Sequence, residues 1–121
     1  MLARMAMVET PRLRTALHGG AVVVTLLTPK IAEAEVGPIR ADLEPVTREH
    51  GWRLVFDMSG VLLVGSAGLA LLIGVRKDAM AQGGRLVICN VSQEIMGMMK
   101  ITHLTKLLTF APDVPGAVAM A

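Results

Sequence analysis

The stretch WRLVFDMSGVLLVGSAGLALLIGV, residues 52–75, contains the transitions that decide the fold. Trp52 to Asp57 is a short apolar and aromatic run that ends in an acid, which is typical of a buried strand. Ser59-Gly60 is a turn pair. Gly65-Ser66-Ala67-Gly68 then interrupts a second apolar run, and the leucine-rich residues after it predict a buried helix. The order of elements is therefore strand, loop and helix, as in an α/β domain.

The second apolar run, Val61 to Val75, has no charged residue and could be mistaken for a membrane span. A helix needs about 20 apolar residues to cross a bilayer, and this run is closed by Asp57 and by Arg76-Lys77-Asp78. We therefore expect it to be buried core and expect no membrane association. Residues 1–10 show no secretory signal pattern. A single cysteine fits a reduced setting, so a cytoplasmic location is expected.

The rest of the chain alternates strand and helix signals. Strands are predicted over 21–27 and 85–90, and helical spacing connects Val36 to Val46, although Pro45 is expected to kink or shorten that helix. Ser92 is expected to cap a helix that runs to about Ile101. A helical turn over 104–108 and a short strand at Phe110 follow. This alternation predicts an α/β fold with a central, mostly parallel β-sheet and flanking α-helices.

The predicted domain covers residues 21–110. Residues 1–20 are interpreted as an N-terminal arm or short strand, and residues 111–121 as a loosely held C-terminal tail. The length of 121 residues fits one hydrophobic core. We expect a monomer or a weak homodimer.

Composition argues against binding to nucleic acid. Net charge is only +2, aromatic residues make up 2%, and no basic block is longer than Arg76-Lys77. A protein that follows phosphates needs a dense basic stripe, and one that stacks on bases needs aromatic side chains. Cys89 is the only cysteine, so no disulfide can form within the chain, and its apolar neighbours predict a buried side chain.

Catalytic and metal-binding patterns lack essential members. The three histidines fall in different elements, which makes a metal site improbable, and no cofactor is expected. Gly60 and Gly65 have the spacing of a phosphate loop, but Ser66 stands where the loop needs Lys. A hydrolase elbow around Ser66 would need Gly in place of Val64. An α/β enzyme built on Ser66 and His103 is kept only as a minor alternative.

Four segments together resemble a known family. RLVFDMSGV, GSAGLALLIGV, GGRLVICNVS and MKITHLTKLL, in this order and spacing, look like the STAS domain of bacterial anti-sigma factor antagonists. The resemblance implies a regulatory, non-enzymatic module that binds an anti-sigma factor or a histidine-kinase-like serine kinase. It places the family's phosphoacceptor on Ser66 and its strand-end acid on Asp57. The predicted partner-binding residues are Thr28, Lys30, Asp57, Ser59, Gly65, Ser66, Ala67, Gly68 and Leu69.

Two departures from the family pattern leave a second reading open. Gly65 replaces the family's Asp before the serine, and Thr28 to Ile31 replaces an acidic loop. Both changes remove negative charge near Ser66. The alternative is therefore an interaction or scaffold subunit of the same fold that has lost the phosphoswitch. In that case Ser66 would only cap its helix, a contribution of about 1 kcal/mol.

Overall fold

The computed structural model describes residues 6–121. It contains eight strands, four α-helices and one short 3₁₀ turn at Leu104–Lys106. The strands are β1 (Ala6–Glu9), β2 (Leu13–His18), β3 (Ala21–Leu26), β4 (Lys30–Ile31), β5 (Arg53–Asp57), β6 (Leu63–Val64), β7 (Arg85–Cys89) and β8 (Thr109–Ala111). The helices are α1 (Glu33–His50), α2 (Ser66–Ala81), α3 (Gln93–Ile101) and α4 (Val114–Met120).

Six strands form one mixed sheet in the order β1-β2-β3-β5-β7-β8. The two pairs at the N-terminal side are antiparallel, and the three pairs from β3 to β8 are parallel. The parallel strands are joined through helices, as the alternating signals predicted. The expected α/β class with a mostly parallel central sheet is confirmed.

The two faces of the sheet bury different cores. Alternate residues of β3 illustrate this, because Val22 and Val24 belong to the larger core whereas Val23 belongs to the smaller one. The larger core includes Phe56, which is fully buried, and the buried faces of α1, α2 and α3. The smaller core lies against α4, which contributes Ala117. Both faces of the central strands are therefore apolar, as a sheet covered on each side requires.

Helix α1 continues past the proline that was expected to limit it. The Glu35 carboxylate accepts a hydrogen bond from the Ala32 amide at 2.9 Å and fixes the start of the helix. Pro45 lies inside the helix and is exposed, while Leu43 and Val46 on either side are buried. The helix ends at His50, directly before Gly51, where the sequence predicted its end, so Pro45 does not shorten it. Burial of the apolar face outweighs the one hydrogen bond that Pro45 cannot donate.

The N-terminal region contributes more than a short strand. Of the expected arm, residues 1–5 lie outside the described residues, and residues 6–18 contain β1, a turn and β2. Strand β2 pairs with β3 over its whole length through the Gly19-Gly20 turn, whose two φ angles are 57° and 88°. A two-residue Gly-Gly loop with positive φ is a favoured hairpin connection. The alternation of β2 is weak in the sequence, because the polar Thr15 is buried on the inward face and the apolar Ala16 lies on the opposite face.

The C-terminal segment is anchored, which corrects the expectation of a loosely held tail. Asp113 accepts a hydrogen bond from the Gly116 amide at 2.9 Å and caps α4. At the other end, Arg53 and Arg85 donate to the carbonyl oxygens of the last two residues at 3.0–3.3 Å. Within residues 6–121, no helix is long and apolar enough to cross a membrane.

Candidate functional site

The loops that follow β3 and β5 are bound to each other at one edge of the sheet. Strands β4 and β6 form a two-residue parallel ladder that pairs Lys30 with Leu63. The amides of Leu62 and Leu63 both donate to the Pro29 carbonyl oxygen, at 2.7 and 3.1 Å. The Gly65 amide donates to the Ile31 carbonyl oxygen at 2.9 Å. Most of the residues predicted to bind a partner are therefore brought together on one backbone framework.

Ser66 is the first residue of α2, and its side chain is exposed. Gly65 is the residue that precedes the helix in extended conformation, and its carbonyl oxygen accepts the Leu69 amide at 2.9 Å. The Ser66 hydroxyl makes no hydrogen bond with any described residue. The expectation that Ser66 caps the helix is wrong, because the capping position is one residue earlier and is occupied by a residue without a side chain.

The start of α2 is an electropositive place on the surface. The first backbone amides of a helix have no acceptor within it, and the helix dipole adds partial positive charge there. The first turn of α2 contains no acidic residue. Lys30 is exposed on the neighbouring β4. A negative group on Ser66 would therefore meet favourable electrostatics from its own domain.

Gly68 positions the helix rather than offering a surface to a partner. It is buried, and a Cβ atom there would lie 2.3 Å from the Ile31 carbonyl oxygen and 2.8 Å from a methyl group of Val64. Only glycine allows the first turn of α2 to lie this close to β4 and β6. Ala67 and Leu69 on either side are half-buried, and Leu69 packs against the larger core.

Asp57 holds two loops at the ends of neighbouring strands. Its Oδ1 atom accepts the Ser59 backbone amide at 3.0 Å and the Asn90 side-chain amide at 3.0 Å. Asn90 adopts a left-handed conformation with φ of 57°, which asparagine tolerates better than most residues. Asp57 therefore has a structural role in the turn. A contact of Asp57 or of the exposed Ser59 with a partner remains a prediction.

Two leucines beside Ser66 are exposed, which corrects the prediction that residues 61–75 are all core. Leu62 is 73% exposed and Leu63 is 56% exposed, whereas Val61 and Val64 are buried. We call Leu62 and Leu63 the leucine patch. Hydropathy could not separate these positions, because all four side chains are aliphatic and only the loop geometry turns two of them outward. Large exposed aliphatic side chains grouped together are typical of a docking surface.

Thr28 places a buried hydroxyl group at the same edge. Its Oγ1 atom is buried and has no hydrogen-bond partner among the described residues. An unpaired buried hydroxyl costs about 1–3 kcal/mol. The loop that carries Lys30 is therefore held in place by its backbone bonds in spite of this cost.

The structure does not bring Ser66 and His103 together. Ser66 lies at the edge where the parallel strands end, and His103 follows the end of α3 at the opposite edge. No hydrogen bond links the two residues. Among the described residues, no group of three or more His, Cys, Asp or Glu side chains could hold a metal ion.

Cys89 is buried in the smaller core, as its apolar neighbours predicted. Burial raises the pKa of the Cys89 thiol to about 12, and the nearby carboxylates of Asp57 and Asp113 contribute. The thiol is therefore protonated and chemically quiet at neutral pH.

The chain is similar to proteins of one family over most of its length. The STAS domain model matches residues 12–117. An anti-sigma-factor antagonist domain protein from Planctomyces limnophilus has a TM-score of 0.74 and 20% identity, covering 90% of this chain and 97% of that one. An anti-sigma factor antagonist from Mycobacterium paratuberculosis also has a TM-score of 0.74 and 20% identity, covering 97% and 92%. The unphosphorylated anti-sigma factor antagonist SpoIIAA has a TM-score of 0.64 and 18% identity, covering 92% and 90%.

These similarities agree with the four sequence segments and with the observed sheet order. The family match begins within the turn before β2 and ends inside α4, so it includes the N-terminal hairpin and the C-terminal helix. The chain therefore belongs to the STAS domain family.

Proposed function

We propose that this chain is a regulatory protein-binding module, which docks onto an anti-sigma factor or a related serine kinase through the edge that carries Ser66. The docking surface consists of the leucine patch, the exposed Lys30 and the first turn of α2. In this proposal the domain works in the cytoplasm and carries no enzymatic activity of its own. Phosphorylation of Ser66 by the partner would switch binding off.

The observation that carries the proposal is the state of the Ser66 hydroxyl. It is exposed, it is bonded to no described residue, and it stands at the positive end of α2 next to two exposed leucines. A hydroxyl with no role inside its own domain is free to accept a modification. The structural relative SpoIIAA has been solved in an unphosphorylated and in a phosphorylated form, which supports the same chemistry here.

Phosphorylation of Ser66 would weaken partner binding through the negative charge that it adds. Transfer of a phosphoryl group to the Ser66 oxygen, with loss of the hydroxyl proton, adds about −1.5 to −2 charges at neutral pH. The domain itself would tolerate this charge, because the helix N-terminus favours anions. A partner packed on the leucine patch would instead have to desolvate the phosphate, which weakens binding.

The charges of this edge also indicate the chemistry of the partner surface. Lys30 is exposed beside the leucine patch. Gly65 and the segment from Thr28 to Ile31 replace residues that are acidic in the family pattern. An apolar surface next to a lysine favours a partner that presents aliphatic side chains and at least one carboxylate.

A second candidate function is a scaffold or interaction subunit without the phosphoswitch. Gly65 supports it, since the family's acid before the serine is absent and a kinase that reads this acid would lose a contact. The leucine patch would then still bind a partner, and a charge on Ser66 would have no regulatory meaning.

Four baits separate these functions. Wild type, Ser66→Ala, Ser66→Asp and the control Gln93→Asp are used to capture proteins from extracts of the native host, followed by mass spectrometry. Gln93→Asp is a matched control, because Gln93 is the exposed first residue of α3 just as Ser66 is of α2. The captured protein is then purified, and its affinity for each bait is measured by calorimetry.

We expect wild type, Ser66→Ala and Gln93→Asp to bind with the same affinity. Ser66→Asp should bind more weakly by a factor of about 30 or more, since a charge left unpaired in an interface costs roughly 2–5 kcal/mol. Equal binding by all four baits would reject the switch and support the scaffold function. Loss of binding in Gln93→Asp as well would show that the docking surface is wrongly placed.

The same captured partner tests the modification directly. Incubated with ATP, it should add one phosphate to the wild-type chain and none to Ser66→Ala. A serine-reactive phosphonate should not label Ser66, because no histidine lies at this edge to activate the hydroxyl. Efficient labelling would revive the enzyme alternative.

A further inference from the structure

A groove of about 410 Å³ lies on the face of the sheet that α4 only partly covers. Its floor is formed by β2, β3 and the end of β5, and α4 closes one side. The residues on which the argument depends are Arg14, Ala16, Val23, Thr25, Asp57 and Val114.

The strand register places four polar side chains in one row, which begins with the exposed Glu9 opposite Arg14 and continues through Thr25 to Asp57. The last three of these line the groove. Arg14 pairs with Thr25 on the neighbouring strand, and Thr25 pairs with Asp57 on the next. Residues paired in this way point to the same face, and neighbouring strands are about 4.8 Å apart. The Cα atoms of Arg14 and Asp57 are therefore about 10 Å apart, with a hydroxyl between them. The adjacent row contains the pair Ala16 and Val23, which gives the groove an apolar floor.

The polar groups of this row have donors and acceptors that make no hydrogen bond or ion pair with the described residues. Arg14 is exposed and makes no ion pair or hydrogen bond with any described residue, and the same holds for the Thr25 hydroxyl. Asp57 receives both of its hydrogen bonds on Oδ1, which leaves Oδ2 without a donor among the described residues. Arg14 and Asp57 do not pair with each other, since ion pairs within 4.0 Å in the described chain do not include them.

We infer that this groove binds a small zwitterionic molecule of the ω-amino acid type. Its carboxylate would bind the Arg14 guanidinium, and its ammonium group would bind Asp57. The aliphatic part between them would lie on Ala16, Val23 and the Val114 side chain of α4. An anion alone would approach the Asp57 carboxylate, and a cation alone would approach Arg14, so a ligand with both charges matches the row better than either. This inference does not depend on the proposed docking function.

The test uses ε-aminocaproate as the probe, with caproate and hexylamine as single-charge controls. Each compound is titrated into the ¹⁵N-labelled full chain, and amide shifts are followed by NMR. Two variants remove one charge each, Arg14→Gln and Asp57→Asn. Arg48→Gln is the control, because Arg48 is an exposed arginine on α1, which packs against the opposite face of the sheet.

We expect saturable shifts at Val23, Thr25 and Asp57 with ε-aminocaproate. Caproate and hexylamine, and each of the two groove variants, should bind more weakly by about tenfold or more, as expected for loss of a charged hydrogen bond. Arg48→Gln should bind like wild type. The inference is rejected if the zwitterion gives no saturable shift, if either single-charge compound binds equally well, or if Arg14→Gln keeps full affinity. Because Arg14 is exposed, its replacement tests the site even if Asp57→Asn disturbs the fold.

Discussion

Gly68→Ala tests whether the first turn of α2 lies as close to β4 and β6 as the structure shows. The added methyl group would be 2.3 Å from the Ile31 carbonyl oxygen, which already accepts the Gly65 amide. The nearest obstacle is therefore backbone, and a side-chain rotation cannot relieve it. Gly97→Ala is the matched control, because Gly97 lies inside α3 and a Cβ atom there has no neighbour within 4 Å.

Two opposing effects determine how much Gly68→Ala changes the free energy of unfolding. Replacement of glycine by alanine inside a helix stabilises it by about 0.8–1 kcal/mol through helix propensity. Forcing a methyl group into a packed site costs about 1–3 kcal/mol, and a backbone contact below 3.0 Å argues for the upper part of that range. We expect Gly68→Ala to lower the free energy of unfolding by about 1–2 kcal/mol. Gly97→Ala should raise it by up to about 1 kcal/mol.

Urea unfolding followed by circular dichroism measures both variants against wild type. The urea dependence of the free energy should stay the same, so that the shift in midpoint reports stability alone. If Gly68→Ala were as stable as Gly97→Ala, the close approach of α2 to the Ile31 carbonyl would be refuted. The framework proposed for the docking surface would then be too loose to hold Lys30 and the leucine patch in place.

Three further results are expected. Asp42 has a pKa below its ordinary value because Arg12 donates a hydrogen bond to it at 2.9 Å. The ionised Asp42 therefore stabilises the fold above about pH 4, and this contribution is lost as the pH falls through the pKa of the folded state. Asp42→Asn should be less stable than wild type at pH 7, and a difference in stability that persists near pH 2 would contradict this assignment. Because burial raises the pKa of the Cys89 thiol to about 12, little thiolate is present in the folded chain at pH 8. Cys89 should therefore react with a thiol reagent about a thousandfold more slowly in the folded chain than in urea. Ala117→Asp should accelerate that reaction by loosening α4, and an unchanged rate would show that α4 does not shield the thiol. Leu62→Ser should change the free energy of unfolding by less than about 0.5 kcal/mol but weaken partner binding, and equal binding would remove Leu62 from the docking surface.

The strands and helices of the central region could be predicted because their sequence patterns are local. After Arg85, strand β7 is a continuous apolar run. Ser92 precedes α3 and accepts the Ile95 amide at 3.2 Å, as a cap should. Three of the four segments with the STAS pattern contain β5, α2 or β7, which are such elements. Local pattern and tertiary environment agree in these places, which is why the fold class followed from sequence.

Other features depend on contacts between distant residues. Nothing in the sequence near Leu62 shows that its neighbours Val61 and Val64 turn inward while it turns outward, since the Pro29 carbonyl oxygen fixes that loop. Helix α4 is short and weakly patterned, and it is held by Arg53 and Arg85 from remote strands. The row of polar side chains in the groove is visible only once the register of β2, β3 and β5 is known.

The position of Ser66 also decides how a switch at this residue would act. Its side chain contacts no described hydrogen-bonding group, and the loops around it are held by backbone bonds that do not involve it. A phosphate on Ser66 would therefore break no interaction within the domain, and the helix N-terminus would accommodate its charge. Any effect on binding must then arise at the surface that the partner meets rather than through a change of fold. Ser66→Asp should accordingly leave the amide spectrum unchanged except near α2, while its affinity for the partner falls.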